Sequence, residues 1–316
     1  MYIRFNLKEK KMFDNLIIGA GPGGITASIY LKRANLKIAI FESRVPGGQL
    51  VNYNEIENYT GSKNFSSIEL ATDMLEHAEK LNIDIIYEKV IRVEKNNKNF
   101  FEIITENNKY TSKSITIASG TVPRKLGVEN EEELSYNGIS WCAICDGPIY
   151  KGKDVVVIGG GNSAVEESQF LSTFVKSVTI IQNLDKFTAE AKAVNKLMNT
   201  KNVKVYFGSN VKKFIKDDKG EMDGVLFKDS DGVERTVKAE GVFEYIGMIP
   251  ATNFMKKFDI LDGYGFVVVN EKMETKEKGI FSCGDVNKKQ IRQVVTATGD
   301  GAIAAQNVIK YLEEIK

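Results

Sequence analysis

The sequence has few cysteines and no long apolar segment, and both scarcities exclude whole classes of protein. Three cysteines in 316 residues are too few for a disulfide-stapled secreted scaffold. The longest apolar runs, such as residues 155–158, fall far short of the roughly 18 residues that cross a bilayer. No signal-peptide pattern precedes them. We therefore expect a folded cytoplasmic protein without a membrane segment.

Net charge is also nearly absent. Lys and Arg number 43 against 42 Asp and Glu, which leaves a net charge of +1. No global field then favours nucleic acid or an anionic membrane, and we expect neither as a partner. The chain is about two domains long, and its 42% hydrophobic content is sufficient for buried cores. Residues 1–11 are polar and basic, lie outside any pattern, and are interpreted as a tail or upstream start.

An internal repeat is the most informative pattern. Residues 16–20 and 155–159 are short apolar runs, each followed by a glycine cluster and a helix-like stretch. The clusters, Gly19-Ala-Gly-Pro-Gly-Gly24 and Gly159-Gly-Gly-Asn-Ser-Ala164, fit G-x-G-x-x-G and its G/A variant. Glycine lets the backbone turn tightly and approach a pyrophosphate, while the next helix offers free N–H groups. Two copies predict two nucleotide-binding units.

The first copy also carries an acidic residue where a ribose is expected. Glu42 follows Gly24 by eighteen positions and ends the apolar run 37–41. A carboxylate there can accept hydrogen bonds from ribose hydroxyl groups.

The order of the segments predicts the domain organisation. Residues 114–120 have the pattern of a strand, and two proline-containing stretches, residues 121–126 and 246–252, are interpreted as crossovers. A helix-like run then occupies residues 294–313. We predict an α/β chain with two Rossmann-like three-layer nucleotide-binding domains, the second inserted into the first. The predicted ranges are 12–121 plus 250–316 for the first domain and 122–249 for the second.

A Cys-x-x-Cys lies just ahead of the second glycine cluster, at Cys142 and Cys145. Structural zinc would need two more ligands, and only Cys283 and the single histidine, His77, remain. A disulfide that opens and closes explains the spacing better, so no metal is predicted. Asp146 could protonate a leaving thiolate or take a proton from an attacking thiol if burial raises its pKa; a helix N-cap is its structural alternative.

From residue 12 to the C-terminus the chain resembles the low-molecular-weight, flavin-dependent thioredoxin reductases. The resemblance rests on the two glycine clusters, on Pro46-Gly-Gly-Gln-Leu50 with Glu55-Ile-Glu-Asn-Tyr59, on Cys142-Ala-Ile-Cys-Asp146, and on Cys283-Gly-Asp-Val286 followed by Arg292-Gln293. It implies FAD in the first domain and a nicotinamide nucleotide, NADPH or NADH, in the second.

The resemblance also implies roles for individual residues. The implied FAD-binding residues are Gly19, Gly21, Pro22, Gly24, Glu42, Gly48, Gln49, Leu50, Asn58, Ala118, Gly284, Asp285, Arg292, Gln293 and Val294. The implied NAD(P)H-binding residues are Gly159, Gly161, Asn162 and Ser163.

The mechanism implied by the resemblance passes electrons from the nucleotide through FAD to the sulfur of Cys145. Cys142 then attacks the disulfide of thioredoxin, after the inserted domain rotates, with Asp146 as acid and base. A homodimer is implied as well. For Cys283 the expectation is a small buried residue rather than a second thiol near the flavin.

One segment departs from the family. Its NADPH users carry His-Arg-Arg and a further Arg four residues on, whereas this chain has Gln182, Asn183, Leu184 and Thr188. Arginines bind a 2′-phosphate through charge-assisted hydrogen bonds, so tight NADPH binding is not expected. Gln182 follows Ala164 by the same eighteen positions that separate Glu42 from Gly24, and it permits NADH without selecting it. Lys186 and Lys192 could supply a charge from another angle.

Three functions compete at this point. The first is a thioredoxin reductase that uses NADPH or NADH. The second keeps the disulfide chemistry but draws electrons from ferredoxin or a flavodoxin, because the basic cluster is missing. The third is a non-catalytic flavin-binding redox sensor, which the pairing of Cys142 and Cys145 with Asp146 disfavours.

Overall fold

The computed structural model describes residues 12–52, 56–63 and 65–315, so the predicted tail 1–11 and Glu55 lie outside the described residues. The chain forms two compact units. The first comprises the described residues up to Val122 and from Ile249 onward, and the second is Pro123–Met248. The second unit is therefore a single insertion in the first.

The first unit is built on a seven-stranded sheet. Its strands are β1 (Met12–Ile18), β2 (Ile38–Phe41), β3 (Asp84–Ile86), β4 (Val90–Lys95), β5 (Phe101–Thr105), β6 (Lys109–Ile117) and β17 (Ile280–Ser282). Its helices are α1 (Pro22–Arg33), α2 (Ser67–Lys80) and α7 (Val294–Glu314), with short 3-10 turns at Gly48–Asn52 and Asn253–Met255. The order is β3-β2-β1-β6-β5-β4, and β17 pairs with the second half of β6. Strands β3, β2, β1, β6 and β17 are parallel, whereas β5 and β4 extend the sheet antiparallel.

The first unit has three layers because its central parallel strands are apolar on both faces. All four residues of β2 are buried. On one face α1 and α7 cover Ile17, Ile40 and Phe281. A Cβ placed on Gly301 of α7 would lie 2.3 Å from the carbonyl oxygen of Gly23, so the two helices approach closely. An apolar cluster around Phe101 fills the other face.

The second unit contains a five-stranded parallel sheet and a smaller antiparallel sheet. The parallel strands are β8 (Ile139–Ser140), β9 (Asp154–Ile158), β10 (Ser177–Ile181), β11 (Val203–Tyr206) and β15 (Gly241–Glu244), in the order β11-β10-β9-β15-β8. The antiparallel strands are β12 (Asn210–Lys216), β13 (Met222–Lys228) and β14 (Glu234–Lys238). The helices are α3 (Glu131–Leu134), α4 (Ala143–Asp146), α5 (Asn162–Ser172) and α6 (Ala191–Met198), with a 3-10 turn at Gly147–Tyr150. Two connecting strands, β7 (Thr121–Pro123) and β16 (Met248–Pro250), pair with each other.

The second unit is layered like the first. Helices α5 and α6 pack on one face of its parallel sheet, where Val155, Val157 and Leu171 are buried. The antiparallel sheet covers the opposite face through side chains such as Phe214 and Phe227. Both units are therefore Rossmann-like, and the predicted fold class is confirmed.

The repeat found in the sequence is also a repeat in structure. Gly19 N–H donates to Phe41 O at 2.8 Å, and Gly159 N–H donates to Ile181 O at 3.0 Å. These two glycines have φ values of +112° and +123°, which L side chains rarely adopt. For this reason β1 and β9 end at Ile18 and Ile158, directly before the glycines.

Within residues 12–52, 56–63 and 65–315, no helix combines the length and apolar character needed to cross a membrane. The same ranges hold no group of three or more His, Cys, Asp or Glu side chains arranged to bind a metal ion.

Candidate functional site

The glycine loop of the first unit forms an open cradle. Helix α1 begins at Pro22, and its N-cap residue Gly21 receives no side-chain cap within the described part of the chain. The first-turn N–H groups are thus available to an anion. A Cβ on Gly48 would lie 3.0 Å from Gly21 Cα, and one on Gly24 would lie 2.0 Å from Gly19 O. Backbone therefore packs against backbone here, and larger residues would fill the cradle.

The Glu42 carboxylate lies against this loop. Its Oε2 accepts a hydrogen bond from Ala20 N–H at 3.0 Å, and its Oε1 accepts one from Arg44 N–H at 2.8 Å. Each carboxylate oxygen retains capacity for another donor. Glu42 is thus fixed beside the cradle with lone pairs to spare for hydroxyl groups.

Other residues with implied FAD roles surround the cradle or form neighbouring contacts. Gln49 donates from Nε2 to Thr121 O at 2.6 Å, and Leu50 is buried. A Cβ on Gly19 would lie 2.3 Å from Ala118 O. Asn58 donates from Nδ2 to Gln293 Oε1 at 3.0 Å, and the residue after Gln293, Val294, begins α7.

Asp285 follows β17 and carries an unsatisfied buried atom. Its Oδ1 is buried and has no hydrogen-bond partner within the described residues. Burial raises the pKa of Asp285 to about 6, although the positive charges of Lys289 and Arg292 oppose the shift. Such an atom is costly unless a donor reaches it. The feature indicates a place for a ligand hydroxyl group.

Neighbouring ion pairs and backbone contacts hold Asp285 in place. Lys289 pairs with Asp300 at 2.6 Å, and Asp300 also accepts from Gly284 N–H at 3.0 Å. Arg292 donates from Nε to Asp285 O at 3.2 Å while its guanidinium lies 4.6 Å from the Phe266 ring centroid. The segment is therefore rigidly braced around its one unsatisfied oxygen.

Cys142 and Cys145 of the second unit form a disulfide, with their Cα atoms 5.3 Å apart. Both residues are half-buried. Cys142 caps α4, and its Sγ accepts a hydrogen bond from Cys145 N–H at 3.2 Å. A backbone donor at the sulfur favours thiolate over thiol. Once reduced, Cys142 is therefore the cysteine with the better-supported thiolate.

Asp146 is connected to the cysteine segment through Ser140. The Ser140 hydroxyl donates to Asp146 Oδ2 at 2.5 Å and accepts from Cys142 N–H at 3.1 Å. Burial raises the pKa of Asp146, and the Ser140 hydrogen bond acts in the opposite direction. Asp146 ends α4 and is also the N-cap residue of the following 3-10 turn, although its side chain makes no capping hydrogen bond there. Asp146, one residue along the chain from Cys145, instead accepts from Ser140 through its carboxyl group, which suits it to acid–base chemistry at the disulfide.

The second glycine loop has a backbone conformation like that of the first, but different side chains surround it. Gly161 is the uncapped N-cap of α5 within the described chain, like Gly21 of α1. Asn162 and Ser163 are exposed, and Asn162 Oδ1 accepts from Glu190 N–H at 2.9 Å. Gly160 O accepts from Thr188 N–H at 2.8 Å. The loop that follows β10 is thus fastened to the glycine loop.

Gln182 occupies the position equivalent to Glu42 but is turned inward. Glu42 N–H donates to Ile86 O and Gln182 N–H to Tyr206 O, so each follows the first strand after its glycine loop in the same register. Gln182 is only 4% exposed, and a Cβ on Gly160 would lie 2.4 Å from its Nε2. That Nε2 donates to Lys186 O at 3.2 Å. The Gln182 side chain therefore packs against the backbone of the glycine loop, a contact that the sequence pattern did not reveal.

No cationic side chain occupies the positions where the family places arginine. Asn183, Leu184 and Thr188 are exposed. Lys186 and Lys192 are exposed nearby.

Cys283 and His77, the other two residues that could have bound zinc, differ in their exposure. Cys283 is fully buried, and burial raises the pKa of its thiol to about 12. His77 is an exposed residue of α2. A thiol so buried and so weakly acidic fits the expected packing role of Cys283.

Several side chains around the disulfide were missed by the sequence reasoning. Ser140 orients Asp146, and the Tyr245 hydroxyl accepts from Ala143 N–H at 2.7 Å. Glu167 of α5 is hydrogen-bonded to Tyr245 and to Ile144 N–H, and burial raises its pKa to about 7. Trp141 donates to Glu244. Except for Ser140, these contacts join distant parts of the sequence, so no local motif marks them.

The fold, the two glycine loops and the disulfide of the second unit define a class of flavin- and nucleotide-linked oxidoreductases. The pyridine nucleotide-disulphide oxidoreductase family model matches residues 13–301, and the chain belongs to this family. Thioredoxin reductase of Bacillus subtilis is 40% identical over 311 residues, which cover 98% of each chain.

Solved structures of thioredoxin reductases are similar to this chain as well. Thioredoxin reductase from Streptococcus pyogenes has a TM-score of 0.88 at 40% identity and covers 97% of this chain and 100% of that one. A ferredoxin-flavin thioredoxin reductase from Clostridium acetobutylicum has a TM-score of 0.53 at 28% identity, covering 96% and 99%.

Proposed function

We propose that the chain is a flavin-dependent thioredoxin-disulfide reductase that accepts NADH and NADPH without strong preference. The observation that carries the proposal is the Cys142–Cys145 disulfide, which Asp146 follows directly in the chain, with the Asp146 carboxyl group hydrogen-bonded to Ser140. Relatives at 40% identity over nearly the whole chain bear the name thioredoxin reductase. The proposed form is a cytoplasmic homodimer with thioredoxin as its partner.

The two cysteines carry out thiol–disulfide exchange. In the reduced enzyme the Cys142 thiolate attacks the thioredoxin disulfide, so a mixed disulfide forms and one thioredoxin thiolate leaves. Asp146 donates the proton that this thiolate takes up. The Cys145 thiolate then attacks Cys142 Sγ, which releases the thioredoxin dithiol and restores the Cys142–Cys145 disulfide.

The first unit fits FAD on its own features. The uncapped N-terminus of α1 and the close glycines suit a pyrophosphate. Glu42 would accept from the adenosine ribose, and Asp285 Oδ1, buried and without a partner in the described chain, would accept from a sugar or ribitol hydroxyl group. Arg292, Gln293 and Val294 would lie toward the isoalloxazine, together with Gln49 and Asn58. When bound, FAD supplies two-electron transfer between a donor and the disulfide.

The donor assignment rests on the second glycine loop. Gly159, Gly161, Asn162 and Ser163 would hold the nucleotide pyrophosphate at the N-terminus of α5. A 2′-phosphate would meet Asn183, Leu184 and Thr188 instead of guanidinium groups, so NADPH gains little over NADH.

The same observation favours a second candidate donor. A protein that lacks cationic side chains for the 2′-phosphate could take electrons from ferredoxin or a flavodoxin. A relative of 28% identity is named a ferredoxin-flavin thioredoxin reductase. The intact glycine loop places this alternative second.

Catalytic turnover tests the proposal. Substoichiometric enzyme, oxidised thioredoxin and either NADH or NADPH should yield two thiols per nucleotide consumed. Nucleotide-dependent thiol formation supports the reductase. Turnover only with reduced ferredoxin or flavodoxin supports the second candidate, and no thiol formation with any donor would leave the sensor interpretation.

Asp146→Asn is expected to slow thioredoxin reduction by about 100-fold, because general acid–base catalysis contributes on that order. The variant keeps the hydrogen bond with Ser140 but has no proton to give. Steady-state kinetics at saturating donor measure the effect. The companion variant Ser140→Ala removes the interaction that lowers the pKa of Asp146, so the alkaline limb of its activity profile should move to higher pH. Unchanged rates in Asp146→Asn would exclude the acid–base role.

Asp285→Asn is expected to weaken FAD retention by at least about tenfold, since a charged acceptor is exchanged for a neutral one. Flavin absorbance per chain after gel filtration measures this. The flavin-free variant should be more stable than the flavin-free wild type, because it lacks a buried carboxylate without a partner. Asp259→Asn, whose side chain is 90% exposed, is the control. Loss of stability together with flavin would assign Asp285 a purely structural role.

A further inference from the structure

A second buried carboxyl group lies next to the disulfide segment, in the second unit. Glu244 ends β15 and is 2% exposed. Strand β8 pairs with β15 in parallel, with Val242 opposite Ile139 and Phe243 opposite Ser140. Continuing that register brings Glu244 beside Trp141, which immediately precedes Cys142. Neighbouring residues of parallel strands point to the same face of the sheet, so these two side chains meet.

One oxygen of Glu244 holds Trp141. The indole Nε1–H donates to Glu244 Oε2 at 3.1 Å, and the Trp141 ring also packs on Tyr136 with centroids 5.0 Å apart. On the other side of Cys142, Ala143 N–H donates to the Tyr245 hydroxyl at 2.7 Å. Both neighbours of Cys142 are therefore anchored to consecutive residues, Glu244 and Tyr245.

The other oxygen of Glu244 needs a proton. Oε1 is buried and has no hydrogen-bond partner within the described residues. Its acidic neighbour, Glu131, is also 2% exposed and accepts from Leu126, Gly127 and Val128 N–H at 2.7, 2.6 and 3.2 Å. Both Glu131 oxygens therefore already serve as acceptors for backbone donors. A charged carboxylate with an unpartnered buried oxygen is costly, so Glu244 is better accommodated as a neutral carboxyl group.

We propose that Glu244 is a positioning residue of the redox-active disulfide: as a neutral carboxyl group it accepts from the Trp141 indole, and so fixes the segment that carries Cys142. This inference rests on the proposed function for its catalytic consequence but not for its structural one.

The surrounding charges support the neutral form. Burial, followed by the negative charge of Glu131, raises the pKa of Glu244 to about 8. The Trp141 hydrogen bond and the positive charge of Lys125 act in the opposite direction. Lys125 is already paired with Glu132 and donates to Ser135 Oγ at 3.2 Å. Glu244 therefore loses its proton only in mildly alkaline solution.

Proton loss would place two adjacent carboxylates in the interior. The folded-state pKa lies above the ordinary value of 4.5, so the folded chain holds a proton that the unfolded chain releases. The stabilising contribution is complete below pH 4.5 and is lost as pH rises through about 8. Above that pH we expect Trp141 to lose its fixed environment and Cys142 its fixed position.

The chain has a single tryptophan, so tryptophan fluorescence reports on the surroundings of Trp141, which include the Glu244 contact. In the wild-type holoenzyme, emission should change with a one-proton transition centred near pH 8. Glu244→Gln keeps the shape and an acceptor for the indole but cannot ionise. Its emission should match the low-pH wild type at every pH, and it should melt at a higher temperature than the wild type at alkaline pH. Glu234→Gln, exposed on β14, should retain the wild-type transition.

A persistent transition in Glu244→Gln, or constant wild-type emission from about pH 6 to pH 10, would overturn the proposal. If Glu244→Gln does not fold, infrared difference spectra of the wild type decide. The carbonyl stretch of a protonated carboxyl group should disappear with the same midpoint as the tryptophan transition, and a different midpoint contradicts the assignment.

The effect of Glu244 on catalysis is measured separately, as the pH dependence of thioredoxin reduction. Thioredoxin reduction by the wild type should fall through the same pH range, whereas Glu244→Gln should remain active there. A fluorescence transition at the expected pH in a protein that reduces no thioredoxin would support the Glu244 contact and reject the proposed function. An alkaline fall that Glu244→Gln shares would reject the positioning role.

Discussion

Cys142→Ser and Cys145→Ser should each lose at least about 1,000-fold in thioredoxin reduction, because removal of a residue from a unit that acts together disables the whole unit. A single thiol cannot form the intramolecular disulfide that the structure contains between these residues. Electrons therefore cannot be stored as a dithiol and passed on. Steady-state thioredoxin reduction measures the loss.

Two controls accompany the cysteine variants. Both should retain flavin, since the cradle of Gly19, Gly21 and Asp285 lies in the first unit. The double variant should be no worse than either single one, because the two cysteines act in one exchange sequence. Activity in Cys142→Ser close to that of the wild type would show that thioredoxin is reduced elsewhere on the molecule.

The triple variant Asn183→Arg/Leu184→Arg/Thr188→Arg is expected to lower the KM for NADPH by about 100-fold. Each charge-assisted hydrogen bond contributes about 1.5 to 3 kcal/mol, and exposure of these positions reduces the total. The Thr188 backbone N–H that donates to Gly160 O remains, so the loop should keep its fold. Steady-state kinetics with both nucleotides measure the change.

The selectivity of the effect is the decisive part. The KM for NADH should stay within about threefold, since NADH has no 2′-phosphate to contact. A matched neutral variant, Asn183→Gln/Leu184→Gln/Thr188→Gln, should change neither KM appreciably. If the arginines left the KM for NADPH unchanged, the 2′-phosphate would not lie next to this loop, and a protein donor would be favoured.

The sequence predicted the elements that local chemistry dictates. The glycine clusters mark the ends of β1 and β9 because Gly19 and Gly159 need positive φ values. The spacing of Cys142 and Cys145 is short enough for the disulfide to be read directly. The inserted order of the units followed from placing a strand and two crossovers along the chain.

The sequence could not predict contacts between distant segments. Gln182 was expected at the ribose position, yet its amide packs under Gly160 because that residue has no side chain to exclude it. Glu244 and Glu131 become neighbours only when β15 and the start of α3 fold together. A single sequence contains no periodicity that pairs such residues, and their protonation depends on burial that only the fold determines.

The central claim is that the second glycine loop binds a nucleotide but lacks the cationic side chains that would bind a 2′-phosphate. Rapid anaerobic mixing of one flavin-loaded sample with NADH, NADPH or a low-potential one-electron donor tests it most directly. We predict that both nucleotides bleach the flavin and that NADPH has no more than about a tenfold advantage. Bleaching by NADPH alone, or by the one-electron donor while neither nucleotide reacts at millimolar concentration, would contradict it.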